Sequence, residues 1–177
     1  IDVIDKSRAM PIHDAAWNDR AEMIRLLVAR KSPVSPRMDE NLTPLMVATN
    51  GAHLKAMEAL FECRADPKLT SKAGFMAIHL AAWHDKPASC ELLLGKGVKV
   101  DERTTSGKET ALQLAARRGH RAVADVLLAN GADPNVKDGM GWRPLHNAAM
   151  QGHGAVIEAL AAKGADLNAK TNDGKSA

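Results

Sequence analysis

The sequence predicts an all-α solenoid of short, stacked helix–turn–helix modules joined by extended, hairpin-like loops. Three observations carry this fold class. The first is a period. Met10-Pro11-Ile12-His13, Thr43-Pro44-Leu45-Met46, Met76-Ala77-Ile78-His79, Thr110-Ala111-Leu112-Gln113 and Arg143-Pro144-Leu145-His146 align, and their third residues are separated by 33, 33, 34 and 33 positions. A fixed period of this length marks modules that cannot bury their apolar faces alone and do so by stacking on their neighbours. The second is helical spacing within each module, described below. The third is composition. Hydrophobic residues make up 45% of the 177 residues but aromatics only 3%, with no tyrosine, so the core must come from Leu, Ala, Val, Ile and Met, which suits closely packed short helices.

In chain order, the period divides the sequence into modules of about 9–41, 42–74, 75–108, 109–141 and 142–174, with partial modules at 1–8 and 175–177. Residues 1–8 read as the tail of a preceding module, because Asp2 and Asp5 align with Asn135 and Asp138. The chain is therefore expected to be an excerpt of a longer array or protein. Modules one and two are expected to be the least regular. Where later modules place a glycine after the second helix they carry Lys31 and Arg64, which cost about 1 kcal/mol each if the backbone is left-handed there. Ser32-Pro33-Val34-Ser35-Pro36 also replaces the loop sequence of later modules. In module three the extra residue of the 34-residue interval falls within 101–109 and lengthens one hairpin.

Module five is the clearest. Pro144 suits a first helical turn, where its missing N–H costs nothing. Leu145, Ala148 and Ala149 form an i, i+3, i+4 stripe, and the alanines admit close helix packing. Gly152 ends the first helix. Val156, Ile157, Leu160 and Ala161 mark the second, Gly164 caps it, and Asn172-Asp173-Gly174 supplies a turn.

Gly119-His120, Gly152-His153, Gly131-Ala132-Asp133-Pro134-Asn135 and Gly164-Ala165-Asp166-Leu167-Asn168, with the Pro-Leu-His turn and paired alanines, closely resemble the ankyrin-repeat family over nearly the whole chain. The resemblance implies L-shaped modules with antiparallel helices and projecting β-hairpins, stacked into a curved array. It also implies structural hydrogen bonds for His13, His79 and His146 at the turn motif and for His53, His120 and His153 after the first helix. Only His84 is off pattern, and metal binding by histidines spread one module apart is not expected.

Other signals resolve in favour of structure. Gly107-Lys108-Glu109-Thr110 fails as a phosphate loop because Glu102 stands where that motif needs glycine. Asn41-Leu42-Thr43 is a formal glycosylation sequon, but Asn41 aligns with the turn glycines Gly74 and Gly141. Cys90 aligns with Ile24, Met57, Ala124 and Ile157 as a core filler, and Cys63 ends a helix. Neither suggests a disulfide or zinc site, and a reducing intracellular compartment, cytoplasmic or nuclear, is expected. A net charge of +3, scattered along the chain, gives no nucleic-acid footprint. No run of 18 apolar residues suggests membrane insertion.

The resemblance places the two positions after the alanine pair on the concave face: Trp17-Asn18, Asn50-Gly51, Trp83-His84, Arg117-Arg118 and Met150-Gln151. Hairpin positions add Leu42, Phe75 and Trp142. All three tryptophans thus lie where the fold does not demand them, and Trp and Arg are the types most enriched at binding hot spots. The candidate partner-binding set is Trp17, Asn18, Asn50, Phe75, Trp83, His84, Arg117, Arg118, Trp142 and Met150, with burial of these rings by neighbouring hairpins as the competing reading. No catalytic constellation survives inspection, so no enzyme, cofactor or metal is expected. The expected function is a scaffold, monomeric or part of a longer chain, that binds a partner protein or peptide on the concave face and hairpin tips. The alternative is a regulatory or targeting segment of a larger multidomain enzyme, channel or effector.

Overall fold

The computed structural model describes residues 8–174 and 176. The alignments drawn for Asp2 and Asp5, and the start of a further module at Lys175 and Ala177, lie outside the described residues. Among the described residues ten α-helices run in pairs: α1 (Pro11–Trp17) with α2 (Ala21–Ala29), α3 (Pro44–Gly51) with α4 (Leu54–Glu62), α5 (Ala77–Trp83) with α6 (Pro87–Gly95), α7 (Ala111–Arg118) with α8 (Arg121–Ala129), and α9 (Pro144–Met150) with α10 (Gly154–Ala162). Each first helix packs on the first helix of the next module and each second helix on the next second helix, which is the solenoid the period demands.

Pro11, Pro44 and Pro144 occupy the first helical turn. Thr43 and Thr110 cap their helices by accepting the backbone N–H of Met46 and Gln113, each at 3.4 Å. The core is one continuous seam. Ile12, Leu45, Ile78, Leu112 and Leu145 are buried in the first helices, and Ile24, Met57, Cys90, Ala124, Leu60, Leu93, Leu127 and Leu160 in the second. Full burial of each such Leu or Ile stabilises by about 2 kcal/mol relative to exposure. One detail of the helical reading is corrected in α10: Ala161 faces solvent and Ala159 turns inward, one helical step away on the same stripe as Val156.

Besides left-handed residues in the hairpins, such as Asn41, Gly74 and Gly141, each module has two such positions beside its helices: one after the first helix and one after the second. Modules four and five fill both with glycine (Gly119 and Gly131, Gly152 and Gly164), module three fills one with Gly97 and the other with Asp85, and modules one and two fill them with Asp19, Lys31, Ala52 and Arg64. The predicted strain at Lys31 and Arg64 is thus present, at φ of 68° and 66°, and is joined after other helices by three further non-glycine sites, Asp19, Ala52 and Asp85.

The projecting loops form no strands among the described residues, only the single bridges Arg103–Thr110 and Lys170–Ser176. They keep hairpin geometry nonetheless. Met38 N donates to Leu42 O, Ser71 N to Phe75 O and Asp138 N to Trp142 O, each spanning four residues, whereas Thr104 N donates to Glu109 O across five. The extra residue of the long interval therefore sits between Thr104 and Glu109.

Candidate functional site

Five of the six histidines at repeat positions make the structural hydrogen bonds that the repeat suggested; none is seen for His53 among the described residues. In α1, α5 and α9 the Nδ1 of His13, His79 and His146 accepts the backbone N–H three residues before it, at 3.0, 3.1 and 3.2 Å. With Nδ1 an acceptor, the neutral ring carries its proton on Nε2, which donates to the carbonyls of Pro36, Glu102 and Ala169, at 3.2, 2.9 and 3.1 Å. Each ring thus ties a helix start to a loop 23 residues onward. In module four Gln113 takes the role, accepting from Thr110 N and donating to Trp142 O. His120 and His153 bond carbonyls of the preceding module, Ala82 O and Arg117 O. Among the described residues no group of three or more His, Cys, Asp or Glu side chains lies close enough to hold a metal ion. Cys90 is buried and its thiol is pushed up to about 12 by that burial, so it stays protonated at neutral pH and is no nucleophile.

The candidate binding residues fall into a second column pattern that the fold makes visible. Eight residues separate the end of each hairpin from the end of the first helix, pairing Ala9 with Trp17, Leu42 with Asn50, Phe75 with Trp83, Glu109 with Arg117, and Trp142 with Met150. In module three the two rings pack on each other, with centroids 5.8 Å apart. In module four the same positions hold an ion pair, Arg117 Nη1 to Glu109 Oε1 at 2.7 Å. The other three pairs line two recesses.

One recess, about 280 Å³, lies between modules one and two, with Ala9, Trp17, Leu42 and Asn50 in its wall together with Asp14 and Val47. Trp17 is 63% exposed, and Asn50 Oδ1 is buried without a hydrogen-bond partner among the described residues. The second, about 620 Å³, lies between modules four and five. It is walled by Trp142, Met140 and Met150 and by the Glu109–Arg117 pair, with Lys108 at its rim. Its roof is the contact of two hairpins, where Gly139 N donates to Gly107 O at 3.0 Å; a Cβ on Gly139 would stand 3.2 Å from that oxygen.

Between the recesses the surface closes on itself. Trp83 and Phe75 are half-buried against the core. Arg118 lies over the Trp83 ring at 3.8 Å and Arg117 at 5.3 Å from its centroid. The competing reading, burial by neighbours, therefore describes Trp83 better than Trp17. His84 is exposed beside them. Partial burial, then the charges of Lys86, Arg118 and His120, hold its imidazole below the usual range, which marks this stretch as locally cationic. Asn18 is exposed and turned back on its own helix, donating to Asp14 O at 2.8 Å.

The sequence reading missed Asn147 and Met140. Asn147 is only 4% exposed yet lines the larger recess, and it stands in a column otherwise occupied by Asp14, Val47, Leu80 and Leu114. A polar residue in a column that is apolar in modules two, three and four was a legible signal. Met140, 71% exposed on a hairpin tip, is a repeat-independent apolar side chain that the same comparison would have flagged.

The comparisons with known proteins agree with this architecture. The solved ankyrin repeat domain of Bcl-3, described as a unique member of the IkappaB protein family, superposes with a TM-score of 0.91 over 99% of this chain and 78% of that one, at 22% identity. The Caenorhabditis elegans ankyrin repeat and KH domain-containing protein mask-1 is 31% identical over 146 residues, 80% of this chain. Mouse ankyrin repeat domain-containing protein 63 is 34% identical over 112 residues, 61% of this chain. The chain spans only 6% and 28% of those two relatives. A family model for ankyrin repeats in three copies matches residues 78–171, the part in which Gly97, Gly131 and Gly164 cap the second helices. With that match over more than half of its length, and with ten helices stacked pairwise as the repeat requires, the chain belongs to the ankyrin-repeat family.

Proposed function

We propose that this array is an interaction scaffold that binds a partner protein or peptide along its concave face and hairpin tips. Ankyrin repeats are a generic protein-interaction module, and the observation that carries the finer reading is the pair of open recesses. Trp17 in one and Met150 in the other, 63% and 56% exposed, leave apolar surface in water beside concave walls. Trp142 and Asn50 line the same hollows, and Arg118 and His84 occupy the stretch between them. Truncating a buried aromatic anchor typically weakens binding by about 2 kcal/mol or more, and a rim residue by little.

Affinity capture of partners from lysate tests this. Trp17→Ala and Met150→Ala are expected to lose the partner while keeping the melting temperature, and the outer-face control Glu91→Ala is expected to keep both. Retention by the first two variants and loss by the control would move the interface to the second helices. Trp83→Ala is a poorer probe than its column suggests, because a half-buried ring packed on Phe75 contributes to stability as well.

A second reading is favoured by the lengths of the relatives. The chain covers between 5% and 33% of the first several, so the array serves as a regulatory or targeting segment of a larger multidomain protein whose partner is another part of it. Expression of the longer protein with and without this segment distinguishes the two. The two cysteines, both free thiols, fit a reducing intracellular compartment, cytoplasmic or nuclear. No described helix is long and apolar enough to cross a membrane.

A further inference from the structure

Arg118 is the one arginine of the central concave face left with unused donors. Its neighbour Arg117 is committed to Glu109, with Nη1 at 2.7 Å from Oε1 and Nη2 at 3.5 Å from Oε2. Arg118 makes no hydrogen bond or ion pair among the described residues, yet its guanidinium is not loose. It lies over the Trp83 ring at 3.8 Å, and Trp83 is itself braced by Phe75. A guanidinium stacked on an aromatic face keeps its N–H groups in its own plane, directed outward and ready for a two-pronged acceptor. Such stacking is attractive without consuming those donors.

The surroundings select the sign and the class of the acceptor. Lys86, Arg118 and His120 stand close enough to His84 for their charges to be felt by its imidazole, and of the acidic groups nearby Glu109 is spent on Arg117 while Asp85, next to His84 in the chain, is exposed. The anion is a single one rather than a polyanion. The net charge is only +3, and Asp14 and Asp138 sit in the recess walls on either side, where a phosphodiester backbone would meet them. Those flanking recesses are apolar enough to take side chains instead.

We propose that Arg118, held flat on Trp83, receives the carboxylate of an acidic residue in an extended partner segment whose apolar side chains enter the two recesses. This rests on the concave-face reading above and adds the chemistry of the partner. Trp83 is then a positioning residue rather than the anchor its column suggested. Spacing follows from the stack. The platform spans modules three and four, one module from the larger recess and two from the smaller. At about 10 Å per packed helix layer and about 3.3 Å per extended residue, that places the apolar residues about three positions to one side of the acid and about six to the other.

The test uses the whole chain as bait for a displayed library of random dodecapeptides at about 150 mM salt. Wild type is expected to enrich peptides with one Asp or Glu flanked by bulky apolar residues at those spacings. A synthetic peptide of that sequence should bind at least about tenfold more weakly to Arg118→Ala. Arg118→Glu should exchange the acidic preference for Lys or Arg. Trp83→Phe, which keeps a stacking ring, should retain the preference that Trp83→Leu loses. Arg118 is exposed, so unchanged melting of its variants confirms that folding is not the cause. Peptides that enrich without acidic preference, or with the same preference on Arg118→Glu, overturn this inference and leave the concave-face reading standing. Failure to enrich any peptide sinks both. Tighter binding of a single-stranded oligonucleotide than of any peptide, abolished by Arg118→Ala, would assign the site to nucleic acid and overturn the proposal.

Discussion

Replacing Lys31 and Arg64 by glycine should stabilise the amino-terminal modules, because both residues hold a left-handed backbone that glycine adopts without strain. An L-residue in that conformation costs roughly 1–2 kcal/mol. Glycine gives back about 0.5–1 kcal/mol through the greater freedom of its unfolded chain. The net gain is therefore about 0.5–1 kcal/mol per site. Both side chains are exposed and make no hydrogen bond or ion pair among the described residues, so little else is lost. For a chain of this length each 1 kcal/mol moves the melting temperature by about 2–4 °C, so the double variant should melt about 2–8 °C higher by circular dichroism at 222 nm. The reverse change supplies the control. A Cβ on Gly131, at the equivalent place in module four, would meet nothing within 4 Å, so Gly131→Ala isolates the backbone term and should cost about 1 kcal/mol. Lower melting of Lys31→Gly and Arg64→Gly would refute the strain account. Asp19→Gly is expected to behave differently despite the same backbone, since its Oδ1 accepts the N–H of Ala56 at 2.8 Å and that bond ties module one to module two.

Hydrogen exchange should be graded along the array, with amides of α1–α4 opening faster than those of α7–α10; uniform protection would contradict the link between caps and module stability. Burial, the largest influence, holds the imidazoles of His79 and His13 below the usual value in the fold, so the unfolded chain takes up protons first as pH falls. Their contribution to stability is complete above about pH 6.5 and declines as pH drops from there toward the folded values, so melting temperature should fall between pH 7 and 5. His79→Gln, which copies the natural Gln113 arrangement, should weaken that dependence, and an unchanged profile would refute it. Cys90 should resist thiol reagents in the native state at pH 8 and react only on unfolding, as mass spectrometry of the labelled protein can show; rapid native labelling would place it outside the core.

Much of the fold was legible because a solenoid writes its packing into a period. The column of Ile12 predicts burial at every repeat and that of Ile24 at every repeat but the fifth, where Ile157 is half-buried; the left-handed φ at Lys31 and Arg64 followed from aligned glycines, and the single insertion located the long hairpin between Thr104 and Glu109. Less legible was the fate of each side chain on the concave face. Trp17 and Trp83 are equivalent in sequence, yet one is open and the other closed, because the residue eight positions earlier is Ala9 in one module and Phe75 in the other, and because the next module offers Arg117 and Arg118 only to Trp83. The difference arises between columns and between modules, which a one-module pattern does not encode. Asn147 escaped notice for a related reason: its place in the helix marks it as core, and its position on the floor of a recess, beside the bond from its Nδ2 to Arg143 O, shows only in three dimensions.

The most direct test of the central claim, that the concave face is the partner surface, is backbone amide chemical-shift mapping of the chain on titration with a library-selected peptide. The account predicts perturbations concentrated at Trp17, Asn50, Trp83, Arg118, Asn147 and Met150 and in the loops 106–109 and 138–142, with α2, α4, α6, α8 and α10 largely unmoved on their outer faces. Shifts concentrated on those second helices, with the recess residues silent at saturation, would contradict it.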